Sequence, residues 1–111
     1  MPIQCSFKSR GVIMKIYCSH RYGGDDKNKA LAEEKIKSLQ TKDKDNVYIS
    51  PIHCFGFMYN DLAYDDGIHL CLELLKACDK MLVLSDESIG VKIEIETANK
   101  LGIPVEYTIF S

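Results

Sequence analysis

The chain predicts an α/β fold: a single-domain three-layer sandwich on a short parallel sheet of four to five strands, flavodoxin/Rossmann-like in kind. Three observations predict it. Short apolar runs alternate with helix-patterned stretches in the order β-α-β-(loop)-α-β-α-β, the signature of a parallel sheet with right-handed crossovers. The strand-like segment from Lys80 to Leu84 is apolar from Met81 onward, as a central strand covered on both faces should be. A length of 111 residues allows one core and not two.

Taking the elements in order, residues 1–12 carry little pattern and read as an N-terminal extension, with the domain proper over 13–111. Val12 to Cys18 reads as the first strand, ending abruptly in polar residues. Asp25 or Asp26 can cap the next helix, in which Ala32, Ile36 and Leu39 share an inner face while Lys27, Lys29, Glu33, Glu34, Lys35 and Lys37 fill the solvated one. Val47 to Ser50 is a short second strand, closed by Pro51, which forces an extended path. Ile52 to Tyr64 holds His53, Phe55, Phe57, Tyr59 and Tyr64 among turn residues. Such an aromatic loop can line a pocket for a flat base or lie as a lid over a core. Asp65-Asp66-Gly67 caps a helix with Ile68, Cys71, Leu72 and Leu75 on one face, ending near Cys78-Asp79. Gly102 suits a helix stop, and Pro104 leads into a last strand, Val105 to Phe110.

The stretch Ser88 to Ala98 is ambiguous taken alone. Val91, Ile93 and Ile95 alternate with Lys92, Glu94 and Glu96, the period of a strand. A strand there would leave its parallel neighbours without a crossover. Ile95, Ala98 and Leu101 are moreover helix-spaced, so the expectation is a crossover helix with Ser88 as N-cap.

Composition bounds the function classes. A net charge of −2 argues against a protein that holds nucleic acid by bulk electrostatics. No apolar run approaches the roughly 20 residues of a membrane span. No secretory leader pattern opens the chain, and five cysteines without paired spacing suggest reduced thiols in a cytoplasmic setting. His53-Cys54 and His69-x-Cys71 lack the spacing of a structural zinc site, so no metal and no cofactor is expected. Gly23-Gly24, after Ser19-His20-Arg21-Tyr22 at a strand end, reads either as a phosphate cradle or as a plain tight turn.

Several stretches together carry a family resemblance: Tyr17-Cys18; Gly23-Gly24 after an arginine; Leu74 to Asp79 before an apolar strand; Ser88-x-Gly90-Val91-x-x-Glu94; and Gly102-Ile103-Pro104-Val105. From about Met14 to Phe110 the chain resembles the nucleoside 2-deoxyribosyltransferase-like superfamily. Within it, the chain looks closest to small DUF4406-type domains, often borne by phages or prophages, and is similar to the 2′-deoxynucleoside 5′-phosphate N-hydrolases. The resemblance makes Glu94 the nucleophile at the anomeric carbon, where an ionised carboxylate can trap an oxocarbenium-like centre. It makes Ser88, where the transferases carry an aspartate, a mark of a 5′-phosphate ligand. Gly23 and Gly24 match a phosphate-side glycine pair, with Arg21 one place earlier than the family's arginine and Tyr22 in that arginine's place. Tyr17, Cys18, His20 and Gly90 fall in the matching segments and are expected around the substrate. Asp79 matches an aspartate before the central strand and equally suits the end of the preceding helix. Glu96 stands where active enzymes usually carry a small residue.

Two functions are therefore expected side by side. One is an N-glycosidase or deoxyribosyltransferase acting on the base–sugar bond of a (deoxy)nucleoside 5′-monophosphate. The other is a non-catalytic nucleotide-binding module on the same fold. A small-molecule nucleotide or nucleoside is the expected partner, with no nucleic acid and no membrane. The superfamily implies a homo-oligomer, most simply a dimer.

Overall fold

The computed structural model describes residues 13–108. Residues 1–12, the start of the expected first strand at Val12 and the end of the expected last one at Phe110 lie outside them. Four parallel strands, β1 (Lys15–Ser19), β2 (Val47–Ile49), β3 (Lys80–Val83) and β4 (Val105–Tyr107), form one sheet in the order β2-β1-β3-β4. Helix α1 (Asp26–Lys42) joins β1 to β2, the short α2 (Pro51–Phe55) and α3 (Tyr64–Lys76) join β2 to β3, and α4 (Ile89–Leu101) joins β3 to β4. The α/β three-layer architecture is the one the alternation of patterns predicts.

Pleat alternation divides the core in two, because successive residues of a strand point to opposite faces. Ile16 and Cys18 of β1, with Leu82 and Leu84, pack under Ile36 and Leu39 of α1. Tyr17 of β1, with Met81 and Val83 of β3, packs against Leu75 of α3 and Val91 and Ala98 of α4. The chain leaves β1 toward β2 on one side and enters β3 on the other, so a crevice opens at the carboxyl ends between β1 and β3. In open α/β sheets that crevice is where ligands settle.

Residues 89–101 are a helix, as the topology requires, with the Ser88 hydroxyl accepting from the Val91 N–H at 3.3 Å. The alternating isoleucines had suggested a strand. On the helix the buried positions are Val91, Glu94 and Ala98, spaced three and four apart, and Leu101 stays exposed. Gly102 ends the helix at φ 74°, where a side chain would be strained. Asp25 caps α1, accepting from Lys27 N–H at 2.8 Å.

Other boundaries differ from expectation for identifiable reasons. Ser50, not Pro51, is the extended residue. Pro51 opens α2, whose first turn needs no donor from it, and the Ser50 hydroxyl caps that turn. The expected aromatic loop is therefore α2, a 3₁₀ turn over Gly56–Met58 and a short link. Helix α3 begins at Tyr64 with Ala63 as an uncapped N-cap, which places Asp65 and Asp66 inside its first turn. There they complement the positive end of the helix dipole instead of capping. The helix ends at Lys76 with Ala77 as C-cap, next to Cys78-Asp79 as expected.

Candidate functional site

Glu94 is set by three elements at once. It lies one turn inside α4, on the stripe that faces the sheet, and only 5% of it is exposed. Beneath it stands β1, whose odd residues point the same way. The Tyr17 hydroxyl donates to Oε2 and the Ser19 hydroxyl donates to Oε1 at 2.6 Å. Both donors are fully buried. Burial pushes the Glu94 carboxyl up from its ordinary range, and the hydrogen bonds from Ser19 and Tyr17 pull the other way. The Tyr17 phenol is raised in turn, first by its own burial and then by the charge on Glu94. Glu94 is thus no exposed helix carboxylate.

Above the carboxylate is a cleft of about 660 Å³. One wall is apolar, built from Ile52, Phe55, Met58, Leu62 and Ile68 with Cys71. The other is polar, with His20, Arg21, Ser88 and Lys92. The Cys71 thiol is pushed up to about 11, chiefly by burial and then by Glu94, so at neutral pH it is a neutral lining group. The start of α4 opens into the cleft, where first-turn amides lack intrahelical acceptors. A small ligand with an apolar flat part and an anionic part matches these walls.

The glycine pair forms a tight turn. Asp25 N–H donates to Tyr22 O at 3.1 Å, with φ 61° at Gly23 and 74° at Gly24. Both positions thus need a residue at ease in the left-handed region. Gly24 meets a further demand: a Cβ there would lie 2.8 Å from the Tyr59 ring. Tyr59 also meets Tyr22 edge-on at 5.2 Å, which ties this turn to the 3₁₀ segment across the cleft. Tyr22 is therefore a packing residue.

The expected site residues divide into three groups. Tyr17, His20, Arg21, Gly23, Ser88, Gly90 and Glu94 come together at or directly beneath the cleft. His20 and Arg21 are held by groups beyond the Glu94 cluster. His20 donates from Nδ1 to Arg21 O at 2.8 Å and accepts at Nε2 from the Lys35 ammonium at 3.0 Å, and its burial lowers its pKa. Arg21 pairs with Asp86 at 3.1 Å. Gly24 supports the wall through Tyr59 without lining it.

Cys18 and Asp79 are brought elsewhere. Cys18 is one pleat out of phase with Tyr17, so it points into the α1 core. Asp79 lies at the amino end of the sheet, where its carboxylate accepts from Lys15 N–H at 2.8 Å. It joins two strand starts at the end remote from the cleft. Lys35, read as surface, turns inward and also donates to Leu84 O at 2.8 Å.

Ser19 is a site residue the sequence reading missed, and Tyr64 is one it offered only within an aromatic loop that could line a pocket or form a lid. Ser19 was discoverable, because it sits two residues after Tyr17 on the same strand and so on the same face. The place of Tyr64 was not. Its hydroxyl lies 3.2 Å from where a Gly90 side chain would begin, a contact made only when α3 meets α4.

Among the described residues no three His, Cys, Asp or Glu side chains are grouped to hold a metal ion. Cys18, Cys54, Cys71 and Cys78 are free thiols. No helix among the described residues is long and apolar enough to cross a membrane. The model of a domain of unknown function, DUF7768, matches residues 14–108, and the chain belongs to that family. No curated protein matches the chain.

Proposed function

We propose that this chain cleaves or transfers the base–sugar bond of a (deoxy)nucleoside 5′-monophosphate, acting as an N-glycosidase or deoxyribosyltransferase with Glu94 as nucleophile. The observation that carries the reading is Glu94 itself. It is a buried carboxylate held by two hydroxyls at the floor of a cleft, at the carboxyl ends of parallel strands. In the proposed step a Glu94 oxygen bonds to C1′ as the C1′–N bond breaks. The electron pair leaves with the base, which takes a proton from water. A second water, or an acceptor base, then displaces the sugar from Glu94. The apolar wall suits the base, and the α4 amides with Ser88 suit the 5′-phosphate.

We place this activity in the cytoplasm, in keeping with the free thiols. A homo-oligomer, most simply a dimer, is supported by exposed Tyr59, Tyr64 and Ile89 at the cleft. A second reading, a nucleotide-binding module without turnover, draws on one observation: both Glu94 oxygens are already engaged by protein donors.

The deciding measurement is release of free base from a panel of nucleosides and their monophosphates. The enzyme reading expects release from at least one monophosphate, cut by more than about 10³-fold in Glu94→Ala. Thermal stabilisation by a monophosphate that persists in Glu94→Ala, with no base released by the parent protein, would establish the binding module instead.

A further inference from the structure

Every residue the family resemblance brings to the site leaves one question open: what keeps a carboxylate that is 5% exposed in a useful state. Burial disfavours charge, and a carboxylic acid is a poor nucleophile. The groups facing Glu94 are few. From β1 come Tyr17 and Ser19, and from α3 come Tyr64 and Cys71, both neutral at ordinary pH and both feeling its charge. Arg21, Glu87 and Lys92 are the charged side chains that line the cleft above it; burial raises its pKa, and the hydrogen bonds from Ser19 and Tyr17 lower it. Its two hydrogen bonds are therefore the means by which the fold offsets desolvation.

Ser19 is the less expected of the two donors. It is fully buried at the last position of β1, where an apolar residue would pack as well. Its hydroxyl lies 2.6 Å from Oε1, short as charge-assisted O–H···O⁻ bonds are. With Tyr17 on Oε2, the carboxylate cannot rotate about its last bond without breaking both contacts. We propose, resting on the reading of Glu94 as nucleophile, that Ser19 is a positioning residue: its hydroxyl holds Glu94 in the orientation and the form in which it can attack. It makes no contact with substrate in this role.

The test uses the full chain. A change of Ser19→Ala removes the donor and nothing else of size, and Ser19→Thr keeps the hydroxyl. Ser19→Cys, near-isosteric with a weak donor, stands in if Ser19→Ala fails to fold. In kcat/KM for base release against pH, Ser19→Ala should move the acidic limb up by about one to two pH units, with activity recovering toward the plateau above it. Ser19→Thr should return the limb to its parent position. A uniform loss at all pH values with the limb unmoved would overturn the proposal and leave Ser19 a packing residue.

A second measurement does not need turnover. Titrating the Glu94 carboxyl carbon by ¹³C NMR, assigned by its loss in Glu94→Gln, should show its midpoint rising in Ser19→Ala. An unchanged midpoint overturns the proposal whether or not the protein is an enzyme. A risen midpoint with no base release from any nucleotide retains the Ser19–Glu94 coupling but overturns the nucleophile reading, and with it the catalytic role given to Ser19.

Discussion

The two faces of strand β1 are drawn from one five-residue run, Lys15–Ser19, and they are built on opposite terms. On the α1 side, Ile16 and Cys18 meet Leu82, Leu84, Ile36 and Leu39, an apolar layer. On the α3/α4 side, Tyr17 and Ser19 carry hydroxyls into the interior and spend them on a buried carboxylate. The first face gains stability from every methylene it buries. The second buries a titratable carboxyl group, which stability alone would not select. A strand that serves a core on one face and a polar cluster on the other is how so small a domain holds both. The cleft lies only on the polar side.

The largest effect that would sharpen this contrast comes from the apolar face. A Leu82→Ala change, at a residue 5% exposed, should cost about 2–5 kcal/mol of unfolding free energy in urea titrations. It should leave ligand response per folded molecule unchanged. If the loss falls instead on ligand binding with stability intact, the two faces are not separate in function.

A smaller effect, of opposite sign, belongs to the polar face. The native Glu94 carboxyl lies above its ordinary value because of burial, so the native state holds that proton more tightly than the unfolded chain does. Its stabilising contribution is full below the ordinary carboxylate range and falls as pH rises from there through the raised native value. The deficit beyond that is about 1.4 kcal/mol for each unit of difference. Glu94→Gln should remove this slope, so its melting temperature against pH should run flatter and lie at or above the parent's near neutrality. A parallel pair of curves would mean that Glu94 pays no desolvation penalty.

The smallest effect tests the far end of the sheet. Asp79→Asn keeps an acceptor for the Lys15 N–H and loses only a half-exposed ion pair at 4.0 Å. It should cost less than about 1 kcal/mol and leave any nucleotide-induced thermal shift as it was. A lost shift would return Asp79 to the site.

Much of this was readable from residue order. The alternation of patterns carried the fold, and Ser88, Gly102 and Pro104 bounded α4 as cap and stop residues should. Glu94 was readable only through its motif, since a lone glutamate on an amphipathic helix is ordinarily solvated. The segment 52–64 was not readable, because α2 and the 3₁₀ turn are too short to show a period and owe their form to neighbours. Cys18 was misplaced for a different reason. A motif names adjacent residues together, whereas a strand sends them to opposite faces.

What the chain determined by itself was local and periodic: which runs extend, which coil, where caps and glycines end them, and that parallel strands require crossovers. Those follow from backbone sterics and from burial repeating every two or 3.6 residues. The tertiary structure decided what meets across long separations. Tyr17 and Glu94 are 77 positions apart, and Ser19 and Glu94 are 75. No local rule joins them. They meet because β1 lies beside β3 and α4 crosses above both, and it is that crossing which turns an ordinary helix glutamate into a buried, doubly held carboxylate.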